Sequence, residues 1–432
     1  MKWTSHPAPA WQALSIGADG RFAGEAMTAD AAVLAARLNE TSGPGPERPI
    51  PPALLALAAR ATDIFEIEAP DAPGIHFVGA MTTPDRHFDA PQATDMISAG
   101  ACGATFREAL AACLGETAER LAQSGGAATA TSLPAERFGE GLDPASQAAL
   151  AALTASDGAR TGLAARILAG GGTTLVPATL CLRGTGEAAV NPSIGCACGP
   201  TAAEATLSGL LEWVERDAAA LWWHAGRPAR MVALETLEEA GLLAMIAAVR
   251  QGRTARRTWM LDITSDLGVP CIACVSVTAD GQGFAHGAAA RLSPAAAARG
   301  AFVELCQMEV AWHLMALKRA SGRAPSSPAD LRHQARFDRI DAAALPMLAP
   351  RRPPALPAAA AAPENLEGLV GRLAEAGYPA LAVDLAHAAI GVPVVKTIVP
   401  GLQPLPSSVR TARLARAVAA PGSAGQTDIP LY

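Results

Sequence analysis

Pairs of acidic residues recur at matched places along this chain. Two glutamates lie three residues apart and an arginine follows each pair, and a third copy keeps one acid and replaces the second with an amide. In each copy a hydroxyl residue stands 11 positions before the first acid. The matched residues are Thr105, Glu116, Glu119 and Arg120; Thr201, Glu212, Glu215 and Arg216; and Ser293, Glu304 and Gln307.

A spacing of three residues places both carboxylates of a pair on one face of a helix. If the three helices converge, several like charges share a small volume and a cation must compensate them. Hard oxygen ligands with no adjacent histidine favour Mg²⁺ over zinc. A solvated helix face would explain a single copy, and a duplication could preserve the spacing for structural reasons alone.

Each copy reads as a glycine-rich turn that enters a helix. Thr105 with Glu108 and Thr201 with Glu204 match the capping box, and Ser293 with Pro294 supplies a cap and a first helical residue. The chain has no glycine-rich phosphate loop with its lysine. A nucleotide would therefore be held by carboxylate-bound Mg²⁺, arginines and helix starts.

Composition excludes several classes of protein. At 432 residues the chain is long enough for two or three domains or subdomains. A net charge of -6 argues against bulk nucleic-acid binding, and no long apolar stretch predicts a membrane span. The N-terminus lacks the apolar core of a signal peptide, so we expect a cytoplasmic protein, in which the eight cysteines are buried free thiols. Cys271 and Cys274 are typical of a buried strand rather than a metal site.

Helical and extended patterns alternate, which predicts an α/β or α+β fold with layered sheets. The predicted helices outside the repeats cover residues 28–38 and 144–168. The predicted strands lie near residues 75–81, 176–183, 257–263, 271–277, 378–384 and 394–401.

We predict three parts of the chain from these patterns. Residues 1–60 form an N-terminal extension, residues 61–410 a central domain and residues 411–432 a C-terminal tail. The domain contains repeat units near residues 98–124, 193–224 and 287–318, and a linker rich in proline and alanine over 342–363.

From about residue 70 to 405 the chain resembles the YcaO family. The family's second motif is similar to residues 193–205 and 212–217, and its strand–turn–strand motif is similar to residues 262–270. A third motif is matched by Pro294, Ala297, Arg299, Glu304 and Gln307, and late segments by residues 383–385 and 397–402. Five motifs in order make the resemblance specific.

The resemblance implies an ATP- and Mg²⁺-dependent enzyme that phosphorylates the oxygen of a peptide backbone amide as a nucleophile adds. It assigns catalytic roles to two acid pairs and metal binding to those pairs with Glu204. The remaining residues would bind the nucleotide or support that site. The catalytic and metal residues are Glu116, Glu119, Glu212 and Glu215, with Glu204 as a further metal ligand, and the cofactor-binding residues are Arg120, Glu204, Arg216, Arg299, Glu304 and Gln307. An ion pair with a neighbouring helix would explain the arginines equally well.

Two departures from the family pattern bear on subtype. Ala112 replaces a serine, and Pro200 replaces an asparagine and removes a backbone N–H. The proline-rich C-terminal motif of azoline-forming members is not found in this sequence. We therefore expect a thioamide-forming or ribosomal-protein methylthiolation accessory member, with an azoline-forming cyclodehydratase or a catalytically weak scaffold as alternatives. The expected partners are a peptide or protein substrate and a TfuA-like or leader-binding protein, and a homodimer is possible on this reading.

Overall fold

The computed structural model describes most of the chain. The residues outside the description are 1–2, 7, 13, 17–21, 25–28, 40–48, 90, 92, 126–130, 133, 135–136, 155–160, 186–188, 323–327, 350–361 and 427–428. Most of the predicted linker over 342–363 therefore lies outside the described residues. Two short 3-10 turns, Ala342–Ala344 and Pro346–Leu348, occupy its beginning.

The helices are α1 (Ala8–Gln12), α2 (Ala29–Leu38), α3 (Pro52–Ala58), α4 (Phe106–Ser124), α5 (Pro144–Ala151), α6 (Ala202–Trp223), α7 (Leu234–Glu239), α8 (Leu242–Arg250), α9 (Pro294–Ala320), α10 (Pro328–Arg339), α11 (Leu366–Glu375) and α12 (Ala412–Ala419). The three longest, α4, α6 and α9, are the predicted repeat helices. In the described part of the chain every helix is too short or too polar to span a bilayer.

The strands are β1 (Trp3–His6), β2 (Leu14–Ile16), β3 (Phe22–Gly24), β4 (Asp63–Glu68), β5 (His76–Thr82), β6 (Ile97–Gly103), β7 (Thr131–Ser132), β8 (Thr161–Ile167), β9 (Thr173–Pro177), β10 (Cys196–Cys198), β11 (Arg230–Met231), β12 (Arg256–Asp262), β13 (Cys271–Thr278), β14 (Ala285–Ala290), β15 (Leu381–Asp384) and β16 (Val394–Ile398).

Three antiparallel sheets carry the repeats. Their strand orders are β1-β4-β5-β6, β10-β16-β15-β8-β7 with β9 paired to β8, and β11-β12-β13-β14. A strand from each sheet, β6, β10 or β14, leads into the repeat helix that packs on it. Each helix also contacts the strand of the next copy, because α4 meets β10, α6 meets β14 and α9 meets β6. The three strand–helix units therefore close into a ring.

Close packing between strand and helix explains two glycines of the repeats. Gly195 has φ +74°, and a Cβ there would lie 2.3 Å from Nε1 of Trp213. A Cβ on Gly287 would lie 2.2 Å from the backbone nitrogen of Leu305. A larger residue at either position would push the strand away from its helix.

Helix α6 is the central element of the largest core. Trp213, Trp222 and Trp223 are fully buried, and each indole N–H has a backbone partner. Trp213 donates to the carbonyl oxygen of Thr397 at 2.9 Å, and Trp223 donates to that of Ile429 at 2.7 Å. Both ends of the chain thus join the fold, since β1 pairs with β4 and Ile429 packs against α6.

The predicted mixture of helix and layered sheet is confirmed. The predicted strands near 75–81, 257–263 and 271–277 are present as β5, β12 and β13. Two predictions are wrong. The helix over 144–168 ends at Ala151, and Thr161–Ile167 is a strand instead. The strand over 176–183 ends at Pro177, and Ala178–Leu180 forms a 3-10 turn.

Candidate functional site

Side-chain caps fix where the three repeat helices begin. The hydroxyl oxygens of Thr105, Thr201 and Ser293 each accept a backbone N–H three residues later, at 3.2 Å. In the second copy the Thr201 hydroxyl also donates to the Glu204 carboxylate at 3.0 Å. The caps satisfy donors that the helix itself leaves open, so the register of each helix against its strand is set locally.

The first acid of each copy accepts a hydrogen bond from its own repeat strand or the turn before it. Because this bond holds one carboxylate oxygen against the backbone, the side chain has a defined direction. The donors and acceptors are Gly100 N to Glu116 at 3.1 Å, Gly195 N to Glu212 at 2.8 Å, and Ala288 N to Glu304 at 3.1 Å.

The second residue of each pair reaches the strand of the following copy. Three such bonds connect copy one to two, two to three, and three back to one. They are Cys198 N to Glu119 at 2.9 Å, Ala290 N to Glu215 at 3.3 Å, and Gln307 Nε2 to the Gly100 carbonyl at 3.0 Å. The structure therefore brings all six repeat side chains to one ring-shaped site.

Each arginine of the first two copies is attached to its own acid pair. Arg120 pairs with Glu116 and donates to the carbonyl of Ser98 at 2.6 Å. Arg216 lies 3.3 Å from Glu212 and 3.7 Å from Glu215. The Nε atoms of both arginines are buried and have no hydrogen-bond partner among the described residues. These ion pairs are with acids of the same helix, not with a neighbouring helix as the alternative interpretation predicted, and one donor of each guanidinium has no hydrogen-bond partner among the described residues.

Burial and neighbouring acids perturb the second carboxyl of each pair. Burial, reinforced by the charges of Glu116 and Glu212, raises the pKa of Glu119 to about 8. Burial, reinforced by the charge of Glu304, raises the pKa of Glu215 to about 8. Acids of different copies therefore interact electrostatically, as convergence of the three helices requires.

The donor set suits a hard cation. Glu119 forms no ion pair in the described structure, although the charges of Glu116 and Glu212 act on its carboxyl. Carboxylate oxygens without histidine or thiolate are the ligands that Mg²⁺ prefers. As placed, no three His, Cys, Asp or Glu side chains among the described residues form a group able to hold a metal ion. The site has suitable ligands but not a closed cage, and phosphate oxygens commonly supply other Mg²⁺ ligands.

Comparison of the sequence with known families shows the family of the chain. Residues 100–403, which include all three repeats, match the family described as YcaO cyclodehydratase, ATP- and Mg²⁺-binding. The chain belongs to the YcaO family. The prediction of ATP and Mg²⁺ as cofactors is thereby confirmed at the level of the family.

Solved structures with similar folds include other YcaO proteins. A heterocyclase in complex with substrate and cofactor is 23% identical, with a TM-score of 0.63 over 81% of this chain and 51% of its own. YcaO from Methanopyrus kandleri, bound with AMPPCP and Mg²⁺, is 21% identical, with a TM-score of 0.52 over 79% of this chain and 86% of its own.

A third similar structure is the E. coli microcin synthetase McbBCD complex, 15% identical, with a TM-score of 0.55 over 78% of this chain and 88% of that chain. At these identities the likeness concerns the fold. The match covers 51% of the heterocyclase chain, so this chain spans about half of its length. No curated protein sequence matches the chain.

Two residues assigned from the YcaO resemblance lie apart from the six repeat side chains. Glu204 is exposed in the first turn of α6, about 12 Å along the axis from Glu212. Arg299 is exposed on α9 and donates to the carbonyl of Ala240 at 2.9 Å. In the structure as described, neither contacts the acid pairs, so their roles stay predictions.

Sequence reasoning missed side chains that adjoin the YcaO site. Tyr432 covers Arg216, with the guanidinium carbon 3.9 Å from the ring centroid. Lys396 is fully buried and donates to the carbonyls of Pro192 and Ile194, which fixes the turn that carries Gly195. A lone lysine in the apolar strand β16 was a usable signal. The position of Tyr432 had none, because it depends on how the end of the chain folds back.

A cavity of about 270 Å³ opens beside the first acid pair. Arg120, Arg183, Ser98 and Ser124 are among the residues that line it. Arg183 donates to the hydroxyl of Ser193 at 2.9 Å, so the cavity wall joins copies one and two. In this lining two guanidinium groups outnumber the one carboxylate, that of Asp95, so the cavity is a suitable environment for phosphate oxygens.

Proposed function

We propose that this YcaO protein activates a backbone amide of a peptide by O-phosphorylation, with ATP as the phosphoryl donor and Mg²⁺ as the metal. The observation that carries the proposal is the closed ring of acid pairs. Glu119 and Glu304 in this ring have no ion-pair partner in the described structure, and the ring lies within the segment that matches an ATP- and Mg²⁺-binding family.

The acid pairs would hold the metal. Glu116, Glu119, Glu212 and Glu215 would supply the carboxylate oxygens, and Glu204, at the start of α6, is assigned as a further metal ligand from the resemblance alone. Their backbone hydrogen bonds to Gly100, Cys198, Gly195 and Ala290 fix those oxygens before any ligand arrives. Such preorganisation lowers the cost of collecting several negative charges around one cation.

The arginines and the third copy would position the nucleotide. Arg120 and Arg216 each keep an unsatisfied buried Nε donor next to the acids, which suits phosphate oxygens. Gln307 and Glu304 complete the ring, and Arg299 is assigned with them from the resemblance alone. When bound, ATP with Mg²⁺ supplies the phosphoryl group that turns an amide oxygen into a leaving group.

Two products follow from this activation. A sulfide donor would give a thioamide, which the sequence favours. Attack by a Cys, Ser or Thr side chain would give an azoline, and the similar structure described as a heterocyclase favours this second candidate. A TfuA-like or leader-binding protein would present the peptide in either case. The similar structure of the microcin synthetase McbBCD complex supports a partner protein.

The test measures ADP and phosphate release with cognate peptide, and the mass of the product. Replacement of one oxygen by sulfur means a thioamide, and loss of one water means an azoline. Glu119→Gln and Glu215→Gln should abolish release while the protein stays folded. Glu140→Gln, a change at an exposed acid paired only with Arg137, is the matched control. Normal turnover in both site variants would remove the Mg²⁺ assignment.

The alternative hypothesis, a catalytically weak scaffold, makes a different prediction. Pro200, at the entry to α6, cannot offer a backbone N–H to a phosphate, which motivates a protein that retains the fold without turnover. Such a scaffold would give no ADP with any peptide, and its acid variants would behave like the wild type.

A further inference from the structure

A basic cavity lies at the far end of the helix that carries the second acid pair. It has a volume of about 420 Å³ and lies between the C-terminal end of α6 and α12. Its walls include Leu221, Arg227, Asp266, Arg413 and Arg416. Leu221 is six residues beyond Glu215, about 9 Å along the helix axis. None of these residues was assigned a role in binding ATP or Mg²⁺.

The arginines of this cavity outnumber its acids. Arg413 takes up both nearby carboxylates: it contacts the fully buried Asp217 at 2.9 Å and donates to Asp266 at 3.0 Å with a second, shorter contact. Among the described residues, Arg227 forms an ion pair only with Asp266, at 3.9 Å. Arg416 is exposed and forms no ion pair in the described structure.

The cavity therefore carries a positive charge that the described residues do not neutralise. Burial, with the neighbouring charges of Arg230 and Arg413, lowers the pKa of Arg227 although Asp266 acts in the opposite direction. An anionic group between Arg227 and Arg416 would relieve this repulsion. Guanidinium groups bind carboxylates through paired, directional hydrogen bonds, so a carboxylate is a suitable ligand.

A second cavity shares two of the same arginines. It has a volume of about 440 Å³ and is lined by Arg413 and Arg416 together with mainly apolar or small residues. Those residues include Ala145, Ala149, Tyr378 and Pro400. Arg416 thus borders a charged cavity on one side and an apolar cavity on the other. A small anion would fill only the first, whereas a peptide can place an acidic side chain in one and an apolar side chain in the other.

We infer that these two neighbouring cavities bind a peptide segment in which an acidic residue lies next to an apolar residue. The inference deepens the proposed function, on which it rests for the peptide nature of the substrate.

The charge of Arg416 offers a direct test. The probes are fluorescein-labelled Gly-Ser peptides that carry a central Glu-Leu, Gln-Leu or Lys-Leu pair, and binding is followed by fluorescence anisotropy. We expect the wild type to prefer the Glu-Leu peptide. Arg416→Glu and Arg227→Glu should each weaken that binding about tenfold or more, the size of one charge-assisted hydrogen bond. Arg416→Glu should also shift the preference toward Lys-Leu.

Arg253→Glu is the matched control, because Arg253 is exposed at a turn after α8 and does not line either cavity. Arg413 is left unchanged, since its loss would leave the carboxylate of buried Asp217 without its ion-pair partner. The inference is overturned if the wild type binds Glu-Leu and Gln-Leu peptides equally, or if Arg416→Glu binds like Arg253→Glu.

Binding of ATP with Mg²⁺, measured on the same samples, separates the two proposals. Arg416→Glu should bind the nucleotide as the wild type does. If the wild type binds nucleotide but shows no acidic preference, the peptide inference alone is wrong. If it selects Glu-Leu peptides but binds no nucleotide, the proposed function is wrong and the peptide site stands.

Discussion

Two carboxylates five residues apart on α9 have very different surroundings. Glu309 is 2% exposed and is surrounded by donors: Arg250 at 2.6 and 2.8 Å, the Ser276 hydroxyl at 2.7 Å and Arg256 at 3.2 Å. Glu304, in the ring of acid pairs, accepts one backbone N–H at 3.1 Å and forms no ion pair in the described structure.

This difference shows that the fold neutralises one buried acid with its own arginines and leaves another without a charged partner among the described residues. A carboxylate surrounded by arginines is a permanent part of the structure. Acids that are brought together without such partners repel one another, and a bound cation can remove that cost. The comparison therefore separates the structural cluster around Glu309 from the ring that contains Glu119 and Glu304, which have no ion-pair partner in the described structure. We propose that this ring binds the metal and the nucleotide, and we call it the functional ring.

Breaking the structural cluster should have the largest effect on stability. Arg250→Met leaves Glu309 buried with one fewer donor pair, and removal of one partner of a buried ion pair costs about 3–5 kcal/mol. We expect a loss of that size in the free energy of unfolding, measured with chemical denaturant. Arg253→Met is the control. A loss below about 1 kcal/mol would mean that Glu309 is not a structural acid.

A neutral substitution in the functional ring should instead reduce activity and leave stability intact. Glu119→Gln replaces a buried carboxyl that has no ion-pair partner in the described structure with a neutral amide, so stability should stay the same or rise. Turnover of ATP should fall at least about 100-fold, equivalent to roughly 2.7 kcal/mol in the activation free energy. Steady-state release of ADP and thermal unfolding, measured on one preparation, give both values. A destabilised variant with full activity would contradict the distinction between the two regions.

The pH dependence should come from the ring. Glu119 and Glu215 have pKa values of about 8, above the ordinary 4.5, so the folded chain keeps protons that the unfolded chain releases. Their contribution to stability is complete below pH 4.5 and is lost as the pH rises through 8. Without Mg²⁺ and ATP, the free energy of unfolding should fall with pH, by at most about 1.4 kcal/mol per unit for each carboxyl.

The double variant Glu119→Gln with Glu215→Gln should show a flatter profile over the same range. Mg²⁺ with ATP should flatten the wild-type profile too, because a bound cation stabilises the ionised carboxylates. An equal slope in wild type and double variant would place the titration elsewhere in the molecule.

The third copy should give the smallest effect. Gln307 closes the ring with one hydrogen bond to the Gly100 carbonyl, and Gln307→Ala should cost about 1 kcal/mol of stability. Denaturant unfolding measures this loss. Gln334→Ala, on the exposed side of α10, is the control for loss of a surface amide. No change at all in Gln307→Ala would mean that the ring is held by the first two copies alone.

Much of this site was predictable from local sequence. The helix caps, the glycine-rich entries and the acid spacing follow from interactions within a few residues, and the structure has them at Thr105, Thr201 and Ser293. The closure of the ring was not predictable in the same way. Glu119 and Cys198 are 79 positions apart, and which strand each acid reaches depends on how whole units pack.

The failures of prediction have the same cause. The segment 144–168 is rich in alanine, which favours a helix, but residues 161–167 pair with β9 and β15 as a strand. Pro177 ends β9 early because it cannot donate to a ladder, so the chain turns at residue 178. Pairing with distant strands therefore determined the structure of residues 161–167, and the missing backbone N–H of Pro177 determined where β9 ends.

Calorimetric titration of ATP with and without Mg²⁺ tests the central claim most directly. The wild type should release or absorb heat with ATP only when Mg²⁺ is present. The double variant Glu119→Gln with Glu215→Gln should lose that signal while remaining folded by circular dichroism, and Glu140→Gln should keep it. Binding by the double variant equal to that of the wild type, or no Mg²⁺-dependent heat from folded wild type, would contradict the assignment of the ring as the nucleotide site.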